Sequence, residues 1–111
     1  MSFSTTGKNY MLDQIGSVIT HVELWNNTPA MEDRQALSLG WESASGGSKC
    51  ASDSSGTVVV FDVTAGKTVN NIKLVNSTGA TVYAEAPIDA ESFNNAGTYT
   101  LTELKMELTD S

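Results

Sequence analysis

The sequence predicts an all-β domain, and three observations carry that expectation. Residues 68–87, TVNNIKLVNSTGATVYAEAP, read as two strands around a tight turn. Ile72 and Leu74 alternate with Lys73 and Val75, Asn76-Ser77-Thr78-Gly79 supplies the turn, and Ala80, Val82, Ala84 and Ala86 alternate with Thr81, Tyr83 and Glu85, giving a hairpin with one apolar face. Residues 57–63, TVVVFDV, form the most apolar run, and its continuity predicts a central strand covered on both faces, with Val59, Phe61 and Val63 pointing one way and Val58 and Val60 the other. Val, Ile, Thr and aromatic residues fill the runs between Gly/Ser/Asn clusters, a composition that favours strands over helices.

With 111 residues the chain reads as one domain over 1–111, large enough to bury roughly two thirds of its unfolded surface around a single core. Thirteen acidic against six basic residues give a net charge of -7, which repels phosphate and argues against nucleic-acid binding. Cys50 is the single cysteine, so no intramolecular disulfide holds the fold and packing must do so. The start, MSFSTTGKNY, lacks the apolar run of a signal peptide and no stretch has the length of a membrane helix, so the expectation is a soluble protein with no membrane association.

The elements follow in order. Residues 1–7 are small and polar apart from Phe3 and read as a flexible arm; Thr5 or Thr6 then caps one short N-terminal helix over residues 8–15, with Met11, Leu12 and Ile15 on one face and Gly16 as its stop. Residues 17–26, SVITHVELWN, read as a strand with Val18, Val22 and Leu24 on one side and Ile19, His21, Glu23 and Trp25 on the other. Asn27-Thr28-Pro29 break it. Glu32, Asp33 and Arg34 mark residues 30–36 as an exposed connection, because three consecutive charges are costly to bury. Leu37, Leu39 and Trp41 alternate with polar residues and predict a half-buried strand over residues 36–43. Residues 44–56, ASGGSKCASDSSG, offer almost nothing to bury and read as a flexible loop. After Pro87, residues 88–97 read as a second connection. The closing TYTLTELKMELTD changes phase between Leu101 and Leu104, which predicts two short strands or a bulge near Thr102-Glu103.

Residues 18–28 laid over residues 68–78 match at Leu24/Leu74, Asn26/Asn76 and Thr28/Thr78, three identities in eleven positions. Both copies hint at a bulge, near Thr20-His21 and Asn70-Asn71, and two equivalent strands fit a two-sheet β-sandwich.

No chemistry stands out. His21 is the single histidine and lies in mid-strand, so a Cys50–His21 dyad is the one nucleophilic pair to consider, and no zinc spacing exists. Glu23, Glu42, Asp62, Glu85, Glu103 and Glu107 sit at outward strand positions, where solvation explains them better than a paired-carboxylate hydrolase does. Asp53-Ser54-Ser55-Gly56 lacks the alternating ligands and terminal Glu of a calcium loop and reads as a turn, and there is no phosphate-binding loop. Asn26-Asn27-Thr28 and Asn76-Ser77-Thr78 fit the glycosylation pattern but read as turns. The expectation is no enzyme activity, no cofactor and no metal.

Among the aromatic residues, Trp41 and Phe61 share phase with Leu39 and Val59 and are expected in the core. Phe3, Tyr10 and Trp25 are the candidate partner-contact residues, with cover for the second sheet face the competing role for Trp25.

The order of TTGKNYMLDQIG, VITHVELWN, a Gly/Ser loop, TVVVFDVTAGKTVNNIKLVNSTGATVYAEA and AGTYTLTELKMEL resembles small virion proteins of tailed bacteriophages over most of the chain. In size, acidity and strand order it is most similar to the capsid cement, or staple, proteins of epsilon-fifteen-like short-tailed phages. That resemblance implies a β-sandwich of jelly-roll-like type, often dimeric on the shell, without catalysis or cofactor. It implies a structural protein on the outer capsid surface, made in the host cytoplasm, that bridges major capsid protein subunits. Contact residues are not carried over. The 27–36 connection is longer than in many fibre-type relatives. A tail-fibre or neck attachment module is the alternative, and a small carbohydrate-binding module floored by Trp25 a further one.

Overall fold

A computed structural model describes residues 3–37, 41–52 and 58–108. Among them, one helix, α1 (Thr5–Gly16), precedes eight strands: β1 (His21–Asn26), β2 (Met31–Ala36), β3 (Ser48–Ser52), β4 (Val59–Val63), β5 (Lys67–Val75), β6 (Val82–Phe93), β7 (Gly97–Leu101) and β8 (Glu103–Glu107). All strand pairing is antiparallel, so the all-β expectation holds.

Ser4, rather than Thr5 or Thr6, caps α1: its hydroxyl accepts the Gly7 amide at 3.1 Å, satisfying one of the amides a helix start leaves open. Thr5, Thr6 and Gly7 are therefore the first helical turn and not part of a flexible arm. Leu12 is buried, and the helix ends at Gly16 as expected. Asn9 Oδ1 and Asp13 Oδ1 accept the amides of Gly47 and Ala44, each at 2.9 Å, tying α1 to the turn before β3.

Four strands form one sheet in the order β2-β1-β5-β6. The two echoing segments are neighbours in it, and do not belong to two facing sheets. Their likeness extends to structure: the β1–β2 register shifts between Leu24 and Trp25, and the β5–β6 register shifts at the equivalent Leu74 and Val75. After each shift an asparagine organises the turn, Asn26 Oδ1 accepting the Thr28 hydroxyl and Asn76 Oδ1 the Thr78 hydroxyl. The pairing places Glu23 opposite Lys73, its own counterpart in the repeat. Of the two expected bulges, the one near Asn70 is present: Val69 and Asn71 pair with Asn26 and Trp25, leaving Asn70 extra. That extra residue reverses the facing, so Val69 and Ile72 both reach the core.

Residues 31–36, expected to be an exposed connection, are the edge strand β2. Its charges are half-buried because each finds a partner. Glu32 Oε2 accepts the Thr64 amide at 3.1 Å and the Thr64 hydroxyl at 2.9 Å, and Asp33 Oδ2 accepts the Asp62 amide at 2.8 Å. These carboxylates join the four-stranded sheet to β4. Burial raises the pKa of Glu32, but the Thr64 amide, the Asn26 side-chain amide, the Thr64 hydroxyl and nearby Lys67 outweigh it, and the carboxyl sits below its ordinary value.

The pairs β3–β8 and β4–β7 run in the same sense and continue one another, with the chain breaking at Thr102 between β7 and β8 as the phase change predicts. Val59, Phe61, Val63, Leu101 and Leu104 from these strands meet Val22, Leu24, Val69, Ile72 and Leu74 of the sheet in one shared core. Val60 and Asp62 are exposed, so β4 is covered on one face and not on both. The stretch 44–56, expected to be a loop, contains β3. Ser45 and Ser48 exchange two backbone hydrogen bonds across Gly46 and Gly47, whose φ values of 61° and 81° provide the positive dihedrals of a tight hairpin turn.

The second connection is corrected too, because β6 runs on past Pro87 to Phe93. So is the strand over residues 36–43: β2 stops at Ala36, residues 41–44 are not strand, and 38–40 lie outside the described residues. Trp41 nevertheless packs against the core, its indole N–H 3.4 Å from the Ile19 carbonyl, and Phe61 is fully buried.

Candidate functional site

The apolar face of the 68–87 hairpin is only partly covered. Ile72 and Leu74 are buried, but Val82 and Ala86 are exposed, since among the described residues β6 ends the sheet and no strand pairs with its outer edge. The result is a groove of about 280 Å³ between β6 and β8. Ile72 and Leu74 of β5 with Leu12 and Ile15 of α1 form its apolar base. One wall is the unbroken run Tyr83–Ala84–Glu85–Ala86 of β6, the other the run from Leu104 to Leu108 along β8. Successive strand residues point to opposite faces, so a groove that touches every residue of such a run borders the strand's edge, where the backbone N–H and C=O groups lie. The small side chains Ala84 and Ala86 keep it open.

Its rim is charged. Glu85 lies 3.8 Å from Lys73, and Glu107 lies 3.2 Å from Lys105, with the two carboxylate side chains 60% and 52% exposed. Along β6, Glu85, Asp89 and Glu91 are all acidic, and no Lys or Arg lies between Val82 and Phe93. On β7, burial and then Glu91 and Asp89 raise the pKa of Tyr99.

The sheet's other face carries a closed polar cluster. Glu23, its side chain only 4% exposed, accepts Arg34 Nε at 2.9 Å on one oxygen and the Trp25 indole N–H at 3.0 Å on the other. The Lys73 ammonium lies 3.7 Å from the centroid of the Trp25 ring. Gly79, with φ +74°, packs against the pair: a Cβ there would lie 2.5 Å from Glu23 Oε2 and 2.8 Å from Arg34 Cζ. Glu23 is thus paired on both oxygens within the protein.

The residues singled out in the sequence separate accordingly. Phe3 and Tyr10 are 58% and 65% exposed at the start and on the outer side of α1. Trp25 is half-buried within the polar cluster, with one ring face occupied by Lys73. The three are not brought together in one constellation. The groove-lining Ala84, Ala86 and Met106 were missed as site residues; the signal for the two alanines was the small-residue alternation in β6, which reads equally as a core face.

His21 Nδ1 is 2.8 Å from the Thr20 hydroxyl, while the side chain of Cys50 lies outside the described residues, as does the Asp53–Gly56 turn. Asn26 is buried and accepts the amides of Thr28 and Ala30 at 3.0 and 3.1 Å, so the first glycosylation-like triplet is a turn. Among the described residues no group of three His, Cys, Asp or Glu side chains could hold a metal ion, and no helix is long and apolar enough to cross a membrane. No family model, curated protein or solved structure matches the chain.

Proposed function

We propose that the chain is a structural virion protein that decorates a tailed-phage capsid and stabilises it by bridging major capsid protein subunits from outside. The observation that carries this reading is the open apolar groove between two strand edges, to which the exposed aromatics Phe3 and Tyr10, at the start and on the outer side of α1, add a separate apolar surface. Such a surface suits protein–protein contact, because aromatic anchors and uncovered apolar area supply interface energy while a charged rim gives register. The shared core between the four-stranded sheet and the β3/β4–β7/β8 ribbon supports a β-sandwich, with jelly-roll-like strand order and dimerisation on the shell belonging to the same proposal. The strand-and-turn resemblance to phage cement proteins supplies the biological setting, assembly in the host cytoplasm and residence on the capsid surface.

Mechanistically, each bound copy adds buried area across a joint between capsid subunits, so shell stability rises with occupancy by mass action. Shells with and without the chain are compared for resistance to heat and to low salt. Greater resistance of the complete shells is expected, and equal resistance refutes the cement role. Densitometry against the major capsid protein separates hundreds of copies over the shell from the few at one vertex that a tail or neck module requires. The carbohydrate-binding alternative would rest on Trp25, one ring face of which is occupied by Lys73, and glycan-array silence in both wild type and Trp25→Ala would remove it.

A further inference from the structure

We propose that the groove between β6 and β8 receives an extended segment of another protein, with alternating apolar and basic side chains, which adds as a strand to the edge of β6 at residues 83–86. This rests on reading the chain as an interaction protein and names the chemistry of its partner.

Three observations identify the occupant. First, the walls are strand edges. β6 ends its sheet and β8 pairs only with β3 among the described residues, so both border the groove with backbone groups that make no ladder there. An acyl chain or other purely apolar ligand would cover those groups without bonding them, whereas an extended peptide replaces their water with N–H···O=C bonds. Second, the base is apolar and the rim polar across the strand, which matches a guest whose side chains alternate in character. Ile72, Leu74 and Met106 meet one face of the guest, and Glu85 and Glu107 stand beside the other.

Third, the charge selects the partner. β6 offers Glu85, Asp89 and Glu91 without a basic residue, and β8 sets Glu103 and Glu107 around Lys105. The Tyr99 pKa, raised first by burial, is raised further by Glu91 and Asp89 of β6. A second copy of this chain, also carrying -7, would place like charges edge to edge, and Pro87 removes an amide from any longer β6–β6 pairing. A basic segment of a different protein meets neither obstacle.

The test uses the full chain and an N-terminally fluorescein-labelled octapeptide of alternating Val and Lys, followed by fluorescence anisotropy at about 0.15 M salt. Two control peptides accompany it: one with Glu in place of Lys, and one N-methylated at alternate residues, which keeps side chains and charge but blocks strand pairing. Saturable binding of the Val/Lys peptide is expected, with affinity lower by about tenfold or more for each control. Glu85→Lys with Glu107→Lys, at exposed positions, should weaken Val/Lys binding about tenfold and strengthen Val/Glu binding. Ala86→Trp, which fills the groove, should abolish both, with circular dichroism and the melting temperature confirming its fold.

Equal binding of the N-methylated peptide would reduce the contact to nonspecific electrostatics and overturn strand addition. Saturable uptake of a fluorescent fatty acid, lost in Ala86→Trp, with no peptide binding would overturn it in favour of a lipid site. Peptide binding beside unaltered shell stability would remove the capsid reading and keep the groove assignment; stabilised shells without peptide binding would do the reverse.

Discussion

Substituting Gly79 by Ala should destabilise the protein far more than the same change at Gly66, although both residues hold nearly the same backbone conformation, φ +74° and +81°. At Gly66 no atom lies within 4 Å of the added Cβ, so only the left-handed backbone of an L-residue is penalised, about 1–2 kcal/mol. At Gly79 the Cβ also collides with the Arg34–Glu23 pair, and 2.5 Å from a carboxylate oxygen is closer than any real contact. The atoms met are all side-chain ends, so the clash is relieved by moving them, and because Glu23 is buried that movement comes at the expense of its bond to Arg34. Losing one charge-assisted bond at a carboxylate that is only 4% exposed adds about 2 kcal/mol, for a total of roughly 3–4 kcal/mol. With a slope of about 1–3 kcal/mol per molar urea, the two midpoints should differ by about 1 M, well within what equilibrium unfolding resolves. Two variants agreeing within about 0.5 kcal/mol would show that the Glu23–Arg34 pair is not held by the turn, and the account of the polar cluster would fail.

The carboxylate junction and the repeated turns make further predictions. Because the Glu32 pKa lies below its ordinary value of 4.5, the carboxylate stabilises the fold above that pH and the contribution disappears as pH falls through the lower, folded value; Glu32→Gln should therefore flatten the stability profile between about pH 5 and pH 3, measured by urea unfolding at each pH. Asn26→Ala should cost about 2 kcal/mol, since it removes the buried side chain that accepts both the Thr28 and the Ala30 amides, while Asn76→Ala, which loses one exposed hydroxyl contact, should cost under about 1 kcal/mol; equal losses would mean that burial of the asparagine does not distinguish the two turns.

Much of the strand framework could be read from residue order because its signals are local. Alternation around Asn76-Ser77-Thr78-Gly79 marks the β5–β6 hairpin, and the phase change at Thr102 marks the break between β7 and β8. What escaped depends on partners distant in sequence. Glu32 and Asp33 look solvent-bound until Thr64 and Asp62, about thirty residues on, bring their amides to them. β3 is hidden because its turn is two glycines and its residues are small, which reads as a loop unless the pairing strand is known. The groove escaped for a related reason: alternating alanines announce an inward face, and whether anything covers that face is decided by strand order. Phe3 and Tyr10 are exposed, whereas Trp25 is engaged by Glu23 and Lys73, whose joint approach no spacing rule encodes.

The pairing of Glu23 with Lys73 has a consequence for how the sheet could be built at all. Were β1–β2 and β5–β6 two identical hairpins from separate chains, the residue on their common two-fold axis would face a copy of itself, acid against acid or base against base. Encoding both hairpins in one polypeptide lifts that restriction. The axial position then carries unlike charges, and with them an arrangement of Arg34 and Trp25 on one side and Glu85 on the other that no symmetric pair of hairpins could hold.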